Sequence, residues 1–139
     1  MNVEQVASFY KSLTADGLSE LYEIYHTDVE FRDPLHCIEG IDSLYNYFDN
    51  LYKNVENCSF YISYSQQQSS VGFLVWEMSL KHPKINKGKA VTVHGCSHLE
   101  FFEGKVLYHR DYFDAGEMLY ENLPVVGTFI SAIKQRVGQ

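Results

Sequence analysis

The hexapeptide His109-Arg110-Asp111-Tyr112-Phe113-Asp114 decides how this chain is read. It follows a turn at Glu103-Gly104 and the apolar pair Val106-Leu107, so it reads as the second arm of a β-hairpin. Alternate side chains of a strand share a face. His109, Asp111 and Phe113 therefore point one way, and Tyr108, Arg110 and Tyr112 the other. The first face carries an imidazole, a carboxylate and an aromatic wall, the materials of a small-molecule pocket.

Working outward, the same two-residue period governs the preceding half of the chain. Segment 89–102 reads as the partner strand of the hairpin. In segment 71–81, Leu74, Trp76, Met78 and Leu80 make an apolar face opposite Val75, Glu77, Ser79 and Lys81, and segment 58–67 is a further strand rich in aromatic and small residues. The Lys81–Lys89 stretch, broken by Pro83 and Gly88, reads as a solvated loop. Upstream the period is helical. Val3, Val6, Ala7, Tyr10 and Leu13 form one helix stopped by Gly17, and Leu18, Leu21, Tyr22 and Tyr25 a second. A short strand, Val29-Glu30-Phe31-Arg32-Asp33-Pro34, must end near its proline. Gly40 and Asp42 open a third helix with Leu44, Phe48, Leu51 and Tyr52 on its buried side. Beyond Asp114, which reads as a cap, Glu117, Met118 and Tyr120 suggest a helical turn broken at Pro124. Val126, Phe129, Ile130 and Ile133 then form an amphipathic tail over 124–136. Helices followed by a run of antiparallel strands predict an α+β fold in one domain over 1–139, the sheet wrapping one face around a helix.

Composition excludes several function classes. With 139 residues, 45% of them hydrophobic, the chain can bury a core, and 11 Tyr, 9 Phe and 1 Trp make it rich in rings. A net charge of −7 speaks against nucleic-acid binding. No apolar run is long enough to span a membrane, and the N-terminus lacks the pattern of a signal peptide. Cys37, Cys58 and Cys96 are an odd set without CxxC spacing, so free thiols in a cytoplasmic setting are expected.

The candidate site residues come from parity. Asp111 and His109 share the inward face and lie close enough along one strand to be coupled. They are either an acid/base pair or a buried pair that satisfies itself. Leu74, Trp76 and Met78, with Phe113 and Phe9, are wall candidates whose alternative is ordinary core. His94, Cys96 and His98 form an H-x-C-x-H pattern. Same-face neighbours lie about 7 Å apart, twice the rise per residue, too far to converge on one ion. No metal is expected there.

The order of these elements resembles the nuclear transport factor 2-like superfamily, and within it the SnoaL-like, ketosteroid-isomerase-like branch. The two N-terminal helices, the strand ending Phe31-Arg32-Asp33-Pro34, the Gly104 hairpin and the terminal Asp111-Tyr112-Phe113-Asp114 carry the resemblance, which covers the whole chain. It implies a cone-shaped barrel, a curved antiparallel sheet wrapped around the N-terminal helices, with a deep pocket and a C-terminal helix. It also implies a homodimer, often paired through the outer sheet face, where Arg110, Tyr112 and the His94-Cys96-His98 trio would lie.

Members of that branch isomerise ketosteroids, cyclise polyketides, open epoxides, or serve as carriers and interaction modules. The resemblance places Asp33 at the general-base position of the isomerases, against the alternative that it caps a turn. It places Phe9 and Ser97 where those enzymes carry their oxyanion donors. Phenylalanine cannot donate and a serine hydroxyl is a weaker donor, so steroid-type isomerisation is not expected. SnoaL-like cyclases use an aspartate near Asp111. The expectation is a protein that binds a small apolar organic ligand at Asp111, His109, Asp33, Ser97, Trp76, Phe113, Leu74, Met78 and Phe9. If it is an enzyme, it is a cofactor-independent isomerase, cyclase or hydrolase. The alternatives are a non-catalytic carrier or sensor and a protein-interaction module.

Overall fold

Asn2 opens the first helix by a capping box, accepting from the Gln5 amide while the Gln5 side chain accepts from its own. The computed structural model describes residues 1–116, 118 and 126–138, and the side chains of all of these except 126–130. Helix α1 (Val3–Ser12) buries Val6, Ala7, Phe9 and Tyr10. A 3-10 helix (Ala15–Glu20) and the single turn α2 (Leu21–Ile24) come next. The second helix expected from the sequence is thus short and stops before Tyr25. That residue is buried and begins β1 (Tyr25–Arg32), the strand that ends just before Asp33-Pro34. A short strand not expected from the sequence, β2 (Cys37–Glu39), folds back on β1.

Gly40 turns the chain into α3 (Ile41–Asn54) with φ of +87°, a region that favours glycine. The alternating segments then become β3 (Asn57–Gln68), β4 (Val71–Lys81), β5 (Val91–Phe102) and β6 (Lys105–Phe113). Residues 82–90 form the expected loop, carrying one 3-10 turn. At the β5–β6 hairpin, Glu103 and Gly104 both have positive φ, as a two-residue turn matched to strand twist requires.

The six strands form one sheet in the order β2-β1-β6-β5-β4-β3. The pairs β3–β4, β4–β5 and β5–β6 are antiparallel, as the sequence predicts. The pair β1–β6 is parallel, so the sheet is mixed rather than purely antiparallel. Parallel neighbours need a long crossover, and the chain between β1 and β6, with α3 in it, supplies one. The order leaves β2 and β3 as free edges. The architecture is therefore an α+β cone open along one side, with helices filling the concave face. Leu21, Leu44, Leu74, Leu99, Val6, Val29, Val93 and Val106 are fully buried in its core.

A helix α4 (Val126–Gly138) closes the chain. Lys134 on it pairs with the Asp114 carboxylate, and the Asp114 carbonyl accepts the Met118 amide. Asp114 thus ties the end of β6 to α4. The expected roles of Glu117, Tyr120 and Pro124, and the side chains of Val126, Phe129 and Ile130, lie outside the described residues. No helix among the described residues is long and apolar enough to cross a membrane.

Candidate functional site

Strand β6 does what its alternation predicts. His109 is buried, Asp111 half-buried beside it, and Phe113 faces the same hollow, while Tyr112 is exposed on the other side. The hollow is a cavity of about 270 Å³ between α3 and the inner sheet face. Trp76 and Met78 of β4 line it with Phe113, Asp111 and Asp33. So do Phe31, Tyr47, Phe48 and Phe60, which the sequence reading did not assign to it. A smaller adjoining hollow is bounded by Leu74, Ser97, His109 and Asp111.

Hydrogen bonds converge on one oxygen. The Trp76 indole, which can only donate, bonds to Ser97 Oγ at 2.9 Å. Ser97 therefore directs its own proton to Asp111 Oδ1, 2.5 Å away. His109 Nε2 reaches the same oxygen at 2.6 Å. On the far side of the imidazole, Nδ1 lies 2.8 Å from the Tyr25 hydroxyl, which is 2.5 Å from that of Tyr10. One assignment satisfies every group: Tyr10 donates to Tyr25, Tyr25 to His109 Nδ1, and His109 Nε2–H to Asp111 Oδ1, the acceptor at the end of the chain of donors. No described residue hydrogen-bonds to the second oxygen of Asp111.

Asp33 is both turn cap and cavity wall, so the two readings of it are not exclusive. Its Oδ1 accepts the amides of Leu35 and His36 at 2.7 Å each, and His36 Nδ1 at 3.0 Å. The Tyr47 hydroxyl donates to Oδ2 at 3.4 Å. Asp33 directly follows β1 and lines the same cavity as Asp111, and the Tyr47 phenol feels both carboxylates.

Phe9 does not belong to the site. The cavity side of α1 is one residue further on, at Tyr10, whose hydroxyl finds Tyr25. Phe9 packs edge-on against Tyr10 at 5.1 Å, below an outer groove with Ile24. Ser97 is a donor to Asp111 rather than to the main cavity, which it does not line.

The outer face separates the H-x-C-x-H residues. His94 pairs with Glu77 at 3.3 Å, and His98 stacks on Phe73. Among the described residues, only Glu30, Cys37 and Glu39 bring three possible metal ligands within 4.8 Å of one another, and Glu30 is already paired with Arg32. Arg110 lies over the Tyr112 ring, 4.8 Å from its centre.

Burial governs the titration of the cavity's weak acids. It raises the Tyr10 phenol, with the neighbouring Tyr25 and Asp111 adding to the effect. The Tyr25 phenol is also raised by burial, partly opposed by the Tyr10 hydrogen bond, and Asp111 raises it further. Tyr47 is raised by burial and then by the charges of Asp33 and Asp111. Burial pushes the Cys58 thiol up to about 11. These groups hold their protons in the fold at a pH where the unfolded chain has lost them. Their contribution to stability is therefore full below the ordinary values, 9.0 for Cys58 and 10.0 for the phenols, and is lost as pH rises through the folded values. The urea midpoint is expected to fall between pH 8.5 and 11; an unchanged midpoint would contradict this.

Comparison with known proteins agrees with this architecture. Among curated proteins none matches in sequence. An LEH-like epoxide hydrolase of M. tuberculosis superposes with a TM-score of 0.72 at 15% identity, over 94% of each chain. A candidate SnoaL-like polyketide cyclase from Shewanella putrefaciens gives 0.67 at 21%, over 80% of this chain and 88% of the other. TerC, co-crystallised with polyporic acid, gives 0.69 at 13%, over 81% and 90%. These likenesses show a shared fold. The sequence pattern described as the SnoaL-like domain matches residues 6–109, a span from α1 to His109 of β6, and the chain accordingly belongs to the SnoaL-like domain family.

Proposed function

We propose that the chain binds a small, mainly apolar organic molecule in the cavity and moves a proton on it without a cofactor. Asp111 is the acid/base. His109 orients its carboxylate and stabilises its charge. Asp33 is a second carboxylate at the same wall. The observation that carries this reading is the Asp111 carboxylate itself. One oxygen is fixed by Ser97 and His109, and the other has no partner among the described residues, at the wall of an apolar cavity. An acid/base group must reach its proton by direct contact, and this geometry permits it. The reaction class is isomerisation, cyclisation, dehydration or hydrolysis. Relatives described as an epoxide hydrolase and a polyketide cyclase support that range.

We further propose a homodimer paired through the outer sheet face, where Tyr61, Tyr64, Phe73, Val75 and Tyr112 are exposed. Native mass spectrometry of the gently purified protein tests both statements. The expected spectrum is a dimer carrying one organic molecule per subunit, with the molecule absent from a Phe113→Ala, Asp111→Asn double variant. A bare monomer, with no small-molecule library member shifting the melting temperature, would overturn them.

A further inference from the structure

The proposed ligand cavity has an unusual charge content for an apolar site. Its described lining holds two carboxylates, Asp33 and Asp111, and neither lysine nor arginine. Of the nearby imidazoles, His36 is hydrogen-bonded to Asp33 and His109 to Asp111. His82 accepts the Lys84 amide on Nδ1 at 3.0 Å.

The two carboxylates share this lining, Asp33 just past the end of β1 and Asp111 on β6, the strand that β1 pairs with. Tyr47 of α3 feels both charges and bonds to one of them. Around them stand Phe31, Phe60, Trp76 and Phe113. An anionic ligand would bring a further negative charge beside these carboxylates, with no lysine or arginine in the described lining to meet it. A protonated nitrogen would supply the missing counter-charge, donate to the free oxygen of Asp111, and be attracted to aromatic faces.

We propose that the cavity takes an organic amine, a small molecule with a ring-bearing apolar body and one protonated nitrogen held between Asp33 and Asp111 beside Tyr47. This rests on the reading of the cavity as a ligand site and names the class of ligand it admits. Anionic ring compounds are excluded by the same charges that retain the amine.

The single tryptophan of the chain, Trp76, lines the cavity and reports its occupancy. The full-length protein is titrated with three probes that share one body: 2-phenylethylamine, 2-phenylethanol and phenylacetate. Trp76 emission is followed at neutral pH. The amine is expected to bind roughly tenfold more tightly than the alcohol, as a charge-assisted hydrogen bond allows, and phenylacetate more weakly than either. In Asp111→Asn the amine's advantage is expected to disappear while the alcohol's affinity stays within about twofold, which also shows that the cavity is intact. Asp33→Asn, which keeps an acceptor for the turn, is expected to reduce the advantage in the same way. Equal or tighter binding of the alcohol or of phenylacetate would overturn the amine assignment and leave the cavity a ligand site. No response to any of the three would overturn both readings.

Discussion

Asp111→Asn is expected to lower turnover by about 10²- to 10⁴-fold, the range that a positioned general acid or base supplies. The substitution is nearly isosteric. The asparagine carbonyl can still accept from His109 and Ser97, so the Trp76–Ser97 and His109–Tyr25 contacts have no reason to break. What is lost is the charge and the capacity to take a proton. The loss should therefore fall on kcat, with KM for an uncharged substrate moving only a few-fold, and the residual rate should no longer follow a carboxyl titration. Steady-state kinetics across pH, on whatever compound the purified protein carries, make the measurement. Wild-type turnover in the variant would remove Asp111 from the chemistry and leave a binding protein.

Gly95→Ala is expected to be the most damaging single-methyl change in the sheet. Gly95 pairs across β4 with Trp76 and across β6 with Phe113. The indole lies over the place where a side chain would be. A Cβ built there would stand 2.6 Å from Trp76 Cζ2 and 2.8 Å from the Tyr112 carbonyl oxygen, and neither is the flexible end of a chain. Overpacking of this kind costs about 1–3 kcal/mol. To relieve it, Trp76 must leave its bond to Ser97, which also disturbs the donor to Asp111. Chemical denaturation together with Trp76 emission checks this. A variant with wild-type stability and an unshifted spectrum would mean that the ring is not packed on Gly95 as described.

How much of this was legible in the sequence depends on the kind of information involved. The inward face of β6 was, because alternation is a local property and His109, Asp111 and Phe113 obey it without interruption. The antiparallel run from Asn57 to Phe113 was legible for the same reason. Helix phase was less so. A choice between Phe9 and Tyr10 needs the azimuth of α1 against the sheet, and a stripe wide enough to bury both does not give it. Tyr25 was assigned to a helix, and alternation could not recover it, because Thr27 between it and Val29 is exposed and the β1–β6 register shifts between Tyr25 and Glu30. The parallel β1–β6 pairing was not legible. It joins segments far apart in the chain, and no local pattern records which edge a strand will find. That Asp33 and Asp111 share one cavity depends on that pairing and was invisible with it. So was the participation of Tyr47, which α3 delivers from above.

That same β1–β6 pairing bears on how the molecule comes to be folded. The hairpins β3–β4, β4–β5 and β5–β6 join near neighbours in sequence and can zip locally, whereas β1 must wait for a strand formed near the end of the sheet. Closing so long a loop is entropically slow, and non-local pairings set the pace in proteins of this kind. Until it closes, Asp33 and Asp111 belong to separate parts of the chain, and Tyr25 has no imidazole to bond. The cavity wall that carries both carboxylates is thus complete only once β1 has paired with β6.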